Sequence, residues 1–176
     1  AGAEADAVLV HTGLTPEVLR DSVFRIREGE RTAGKKEGST EVWAFAKCNV
    51  AARREQAIAE IKMALAASAH HSFRFTLEGK HVPEELKEPI SILQDEYVPA
   101  QHEQLGRTRN AVLSDELGLT DYLVERFAVA GTPVECREKT QTIQQAGVEV
   151  LFITAIGPEP EEIIKRFGQE VIAHYR

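Results

Sequence analysis

The chain has 176 residues, 43% of them hydrophobic and 28% charged, with a formal net charge of −7, which is the composition of an ordinary single globular domain. That acidic balance leaves no broad positive field for phosphate backbones or anionic lipid, so neither nucleic acid nor a membrane surface is an expected partner. Cys48 and Cys136 form no CxxC, and no signal-peptide pattern or run of ~20 apolar residues occurs, so a reduced, cytoplasmic, small-molecule protein is expected.

The opening residues AGAEAD begin on Ala1 rather than Met and read as the tail of a helix, which suggests that the chain is cut from something longer. Ala7 to His11 (AVLVH) is a short apolar run closed by Thr12-Gly13, the pattern of a parallel strand buried on both faces. A helix follows. Thr15 is placed to cap it, Pro16 takes the first helical position and Glu17 and Asp21 lie near its positive end. Val18, Leu19, Ser22, Val23 and Ile26 mark its inner face until Ala33-Gly34.

After the polar loop Lys35 to Thr40, Glu41 to Ala46 reads as a second strand that ends at Lys47-Cys48-Asn49. The helix from about Ala52 to Ala69 then carries Ala57, Ile58, Ile61, Leu65 and Ser68 on one stripe. The last strand is Val148 to Thr154, and an amphipathic helix from Glu161 to Tyr175 closes the chain. About ninety residues separate the second and last strands, where a whole βαβ unit needs only ~30. An insertion, about residues 70–131, is therefore expected, with helical stretches at Glu84 to Tyr97 and Leu119 to Phe127. A helix at Thr132 to Gln145 leads back to the last strand. That helix opens with Thr132-Pro133-Val134-Glu135, in which threonine caps, proline takes the first turn and glutamate completes a capping box.

The order is α/β with a parallel sheet. Three strands do not close a barrel, and a (β/α)₈ barrel takes about 250 residues. An open three-stranded sheet would leave edges and one face uncovered unless another chain covered them.

Four stretches together resemble the luciferase-like superfamily of flavin monooxygenases and deazaflavin-dependent methylenetetrahydromethanopterin reductases. ADAVLVHTGLTPEVLRDSVFRIREGERTAGK is similar to the family's sixth strand and helix, and TEVWAFAKCNVAARREQAIAEIK to its seventh. DELGLTDYLVERFAVAGTPVECREKTQTIQQAGVEVLFIT resembles the approach to the eighth strand, and PEPEEIIKRFGQEVIAHYR the closing helix. The resemblance implies the C-terminal three β/α units of a (β/α)₈ TIM barrel, with the insertion between the last two strands that this family carries. It also implies a parent oxidoreductase using FMN or a deazaflavin coenzyme on a small organic substrate. The first five units, with most of the flavin contacts, have no counterpart here. The chain alone is therefore expected to be inactive, and either to self-associate or to pair with the missing N-terminal half. A non-catalytic association module is the alternative, and a small, self-contained doubly wound domain a third reading.

Barrel active sites lie at the C-terminal strand ends. The candidates are His11, Thr12 and Gly13 as cofactor contacts, Lys47 as a substrate contact, then Cys48, Asn49 and Thr154 to Gly157. Hydride transfer needs positioning and charge stabilisation more than a protein nucleophile, which a histidine, a hydroxyl and an ammonium at the rim can supply. In the deazaflavin sugar-phosphate branch of the family a lysine-arginine pair just before the segment matching FAVAGTP binds phosphate. Here that pair is Glu125-Arg126, which leaves Arg126 as an anion contact, and a helix-surface pair between the two as the simpler account. His70 and His71, adjacent on a helix, point about 100° apart and cannot share one metal ion. No metal is expected.

Overall fold

The computed structural model describes residues 1–175. It is an α/β fold built on one parallel sheet. Strand β1 (Ala7–Val10) leads into helix α1 (Pro16–Thr32), and β2 (Glu41–Val50) into α2 (Arg54–Phe73). Three helices follow: α3 (Glu84–Glu96), α4 (Arg109–Glu116) and α5 (Thr120–Phe127). Then come β3 (Ala128–Gly131), α6 (Pro133–Gln145), β4 (Val150–Ala155) and α7 (Pro160–Arg166).

The sheet is organised around β2. β1 pairs with its first residues (Ala7 to Val10 against Glu41 to Ala44), β3 with its last (Ala128 to Gly131 against Lys47 to Val50), and β4 with its middle (Val150 to Ala155 against Trp43 to Cys48). Since Trp43 and Ala44 have partners in both β1 and β4, and Lys47 and Cys48 in both β3 and β4, β1 and β3 lie end to end on one side of β2. β4 lies on the other side.

Alternation along β2 separates two environments. Val42, Ala44, Ala46, Cys48 and Val50 are buried against Leu19 and Ile26 of α1, Cys136 and Ile143 of α6, and Ile163, Phe167 and Val171 of the closing segment. Three of those five are no larger than cysteine, which lets helices approach the sheet closely. The opposite face is only half covered. Over its C-terminal part sits a lobe whose core joins Ile58, Ile61, Leu65 and Phe73 of α2 to Ile90, Leu93, Leu113, Leu123 and Phe127, with Ala128 and Ala130 of β3 as its floor. Over its N-terminal part Leu9 and Phe152 remain 49% and 47% exposed.

Several boundaries differ from the sequence reading, each for a physical reason. β2 runs through Lys47-Cys48-Asn49 rather than stopping there, because the lobe supplies acceptors for both polar side chains. β3 is a fourth strand where three were expected, and α4 a helix the pattern did not mark. α2 continues to Phe73 and is buried on nearly every side, since it packs against the sheet and three helices at once. The final helix gives way after Arg166 to a wider turn and then a tighter one, at a place where Gly168 weakens helix propensity. Thr15 stands at the helix N-terminus in extended conformation but makes no cap, its hydroxyl buried without a partner. The capping box at Thr132 and Glu135 is complete: the Thr132 hydroxyl accepts from the Glu135 amide, and the Glu135 carboxylate accepts from the Thr132 amide at 2.8 Å.

Candidate functional site

His11 follows the last residue of β1, at the C-terminal end of the sheet. Its ring meets Phe45 edge-on at 4.6 Å and stacks on His71 of α2 at 5.4 Å. The Ser72 hydroxyl donates to the His11 carbonyl at 3.1 Å, which fastens this strand end to α2. The ring's Nε2 is buried and has no hydrogen-bond partner. Burial, reinforced by His71 and Lys47 and opposed by Glu103, lowers the imidazole's pKa below the ordinary histidine value.

The next two residues are held from below by Arg126. This arginine is 1% exposed. Its Nε donates to the Thr12 carbonyl at 2.9 Å, and its terminal nitrogens to the Lys80 carbonyl at 2.7 Å, the His81 carbonyl at 3.3 Å and the Tyr122 hydroxyl at 3.2 Å. Its own carbonyl accepts from the Leu14 amide at 2.7 Å. Phe73 and Phe127 lie 5.4 and 5.9 Å from the guanidinium carbon. The guanidinium is thus spent on carbonyls and aromatic faces inside the lobe, not presented at the rim. Burial pulls its pKa down, with Tyr122 and Glu17 opposing. Gly13 adopts φ 142°, and a β-carbon there would overlap the Arg126 Nε. The glycine is required twice over, for its dihedral angle and for the close approach. Thr12 is exposed, its hydroxyl 3.4 Å from that of Ser22.

Lys47 sits two residues beyond Phe45 on the same face of β2. Only 6% exposed, it donates to the Glu103 carboxylate at 2.5 Å and lies 5.1 Å from the Phe45 ring centroid. Glu103 comes from the segment between α3 and α4, which is anchored on both sides. Asn110 accepts from the Val98 amide and donates to the Val98 carbonyl, and Tyr97 bonds His102 Nδ1 at 2.6 Å while stacking on His70. His11, Phe45, Lys47, Ser68, His71, His102 and Glu103 together line a cavity of about 220 Å³.

The structure therefore brings His11 and Lys47 to one cavity; Thr12 and Gly13 follow His11 in the chain but are not among the residues that line it. Arg126 stands behind this loop as its support. The expected helix-surface pair between Glu125 and Arg126 does not form: Glu125 pairs instead with Lys139. Cys48 points to the buried helix side of the sheet, where burial pushes its thiol pKa up; the same effect carries Cys136 to about 12. Asn49 donates to Glu60 and to the Ile156 carbonyl, each at 2.8 Å, a strut between β2, α2 and the end of β4. Ser68, His71 and Glu103 also belong to the cavity, and the sequence does not mark them as site residues: Ser68 reads as part of a helix stripe, His71 beside His70 invites only a metal reading, and nothing local marks Glu103. Among the described residues no group of three histidine, cysteine or carboxylate side chains could hold a metal ion. A larger cavity of about 440 Å³ opens between α2 and α4, with Pro158 from the segment after β4 in its lining. Its Lys62 and Asp115 are already paired with each other.

The profile of the family described as luciferase-like monooxygenase matches residues 1–150. The chain is similar to 5,10-methylenetetrahydromethanopterin reductase of Methanopyrus kandleri, 29% identical over 178 aligned positions that cover 100% of this chain and 47% of that protein. The solved structure of the coenzyme F420-dependent tetrahydromethanopterin reductase from the same organism superposes with a TM-score of 0.69 at 27% identity, covering 100% of this chain and 47% of the other. An F420-dependent secondary alcohol dehydrogenase, solved with an F420-acetone adduct, shares the fold at a TM-score of 0.61 and 15% identity, over 98% of this chain and 44% of that one. The chain spans about half the length of the relatives it matches.

Proposed function

Because the chain belongs to the luciferase-like monooxygenase family, we propose that residues 1–176 are the C-terminal three β/α units of a (β/α)₈ oxidoreductase and carry one wall of its coenzyme and substrate site. Similarity to F420-dependent proteins favours the deazaflavin over FMN as coenzyme. The observation that carries the reading is the buried, unpartnered Nε2 of His11, at the C-terminal end of a parallel strand and beside the lysine of the adjacent strand. A buried polar atom without a partner is costly, and the position is where this architecture places ligands.

The residues present fit such a coenzyme. His11 Nε2 offers a hydrogen bond to its ring edge, Phe45 an aromatic surface and Thr12 a hydroxyl, while Gly13 serves by letting Arg126 close in behind the loop. The bound coenzyme supplies the hydride chemistry. This chain's part is orientation: Arg126 fixes the Thr12-Gly13 loop, Ser72 fixes the carbonyl of His11, and Lys47 binds an anionic group of the substrate. Arg126 acts on ligands through the loop it holds.

The test is titration of the chain with coenzyme F420 and with FMN, following ligand fluorescence. Binding of F420 that weakens about tenfold in His11→Ala, the worth of one hydrogen bond to a buried group, is expected. Equal binding by the variant would remove His11 from the site. Binding of neither coenzyme, even by a chain that includes the remaining barrel units, would overturn the reading.

A second reading has its own observation. One half of the sheet face is uncovered, and among the described residues β1, β3 and β4 each pair with β2 alone. On this reading the chain is an association module, covered by a second copy or by the other barrel units, with no catalysis of its own.

A further inference from the structure

We propose that the cavity at Lys47 is a carboxylate subsite whose resting occupant is the chain's own Glu103, which an incoming ligand carboxylate displaces. The proposal rests on the reading of Lys47 as a substrate contact. It adds the chemical class of that substrate and the competitor that controls access.

A lysine on the interior face of a strand is tolerated only with an anionic partner. Lys47, 6% exposed, has one: Oε1 of Glu103 at 2.5 Å. The pocket is therefore built for a carboxylate at that end. Two further polar groups in it have no partner. Ser68 is 2% exposed and its hydroxyl has no partner, and His11 Nε2 is also buried and unpaired. Both line the same cavity as Lys47. A carboxylate offers about four acceptor positions, and Glu103, reaching in from the loop, engages Lys47 and neither of the other two donors. A free carboxylate seated deeper would accept from Lys47, from the Ser68 hydroxyl and from His11 in its Nε2–H tautomer. The burial that keeps His11 neutral leaves it a donor without adding a second cation beside Lys47.

Displacement is feasible because Glu103 has somewhere to go. Its side chain is 33% exposed and it lies outside any helix or strand, with φ 53°. Once released it enters water, whereas Lys47 stays in place on β2. The walls set the rest of the ligand. Phe45 and the stacked rings of His11 and His71 offer flat ring surface, which suits a carboxylate carried on a planar or aromatic body.

The test uses benzoate, with benzamide as the uncharged isostere, titrated into the intact chain while the ring signals of His11 and His71 are followed by NMR. Benzoate binding is expected to tighten about tenfold in Glu103→Gln, the scale of removing one competing ion pair. Lys47→Met should abolish it in either background. Ser68→Ala, which removes one donor and no charge, should weaken it roughly threefold to tenfold, and serves as the decisive variant if Lys47→Met loses its dispersed amide spectrum. Absence of benzoate binding to Glu103→Gln, equal affinity for benzamide, or no gain over the parent chain would each overturn the proposal. No coenzyme takes part, so the outcome is independent of whether the chain binds F420.

Discussion

At the scale of single residues, the site is a set of polar groups whose burial decides what they can do. His11 is the clearest case. Its pKa is lowered first by burial and then by the neighbouring His71 and Lys47, with Glu103 pulling the other way. An NMR titration should find His11 titrating below a free histidine. Lys47→Met should move it upward and Glu103→Gln downward, because the first removes a positive neighbour and the second a negative one. At Glu30 burial acts with the opposite sign and is overcome. Its carboxylate is fully buried, and although burial pushes it upward, hydrogen bonds from the Gly38 and Thr40 amides, with Arg27 beside it, take it from 4.5 to about 2. A carboxylate depressed on folding stabilises the native state above its unfolded value, and that contribution disappears as pH falls from 4.5 toward about 2. Acid unfolding should therefore steepen in that window, and Glu30→Gln should flatten it. Gly13→Ala meets both an unfavourable dihedral angle and the Arg126 Nε. It should cost about 1–3 kcal/mol in chemical denaturation and loosen the loop that holds Thr12.

At the scale of elements, the sequence is legible where local chemistry acts alone. Thr132-Pro133-Val134-Glu135 states a helix start in four residues, and the start is there. Thr132→Ala should cost ~1 kcal/mol, measured by thermal or denaturant unfolding, and a variant of unchanged stability would mean that the cap is dispensable. Where the outcome depends on distant partners, the pattern misleads. Lys47-Cys48-Asn49 looks like the polar end of a strand, yet β2 continues because Glu103, Glu60 and the Ile156 carbonyl satisfy the two polar side chains. β3 is four small residues, AVAG, with valine as the only β-branched one, directly after a helix. Nothing local distinguishes it from that helix's tail; pairing with β2 makes it a strand. The site divides in the same way. His11 follows from a strand end and Lys47 from a strand end that the structure moves on to Val50, whereas Ser68, His71 and Glu103 reach the cavity only through the packing of α2 and the α3–α4 segment. Arg126, legible as a charge, is converted by burial into a support.

At the scale of the molecule, two cores lie on opposite sides of one sheet, and the second stops halfway along it. Parallel sheets are ordinarily covered on both faces. Leu9 and Phe152, each about half exposed, leave on the order of 1 kcal/mol apiece to be gained by burial. Sedimentation of the chain should show association that the double substitution Leu9→Lys and Phe152→Lys reduces to monomer, with the native circular dichroism spectrum kept. A mass distribution indifferent to those two changes would mean that the open face recruits nothing. The central position of β2 also bears on the route by which the fold forms. Two of its neighbours are remote in sequence: Trp43 must find Val150, and Lys47 must find Ala128. Loops of that length close slowly, whereas the helices of the lobe can assemble from nearer contacts. The lobe should acquire protected amides early in refolding and the β2–β4 ladder last, so that the cavity at Lys47, to whose lining β4 contributes no residue, does not wait for that final step.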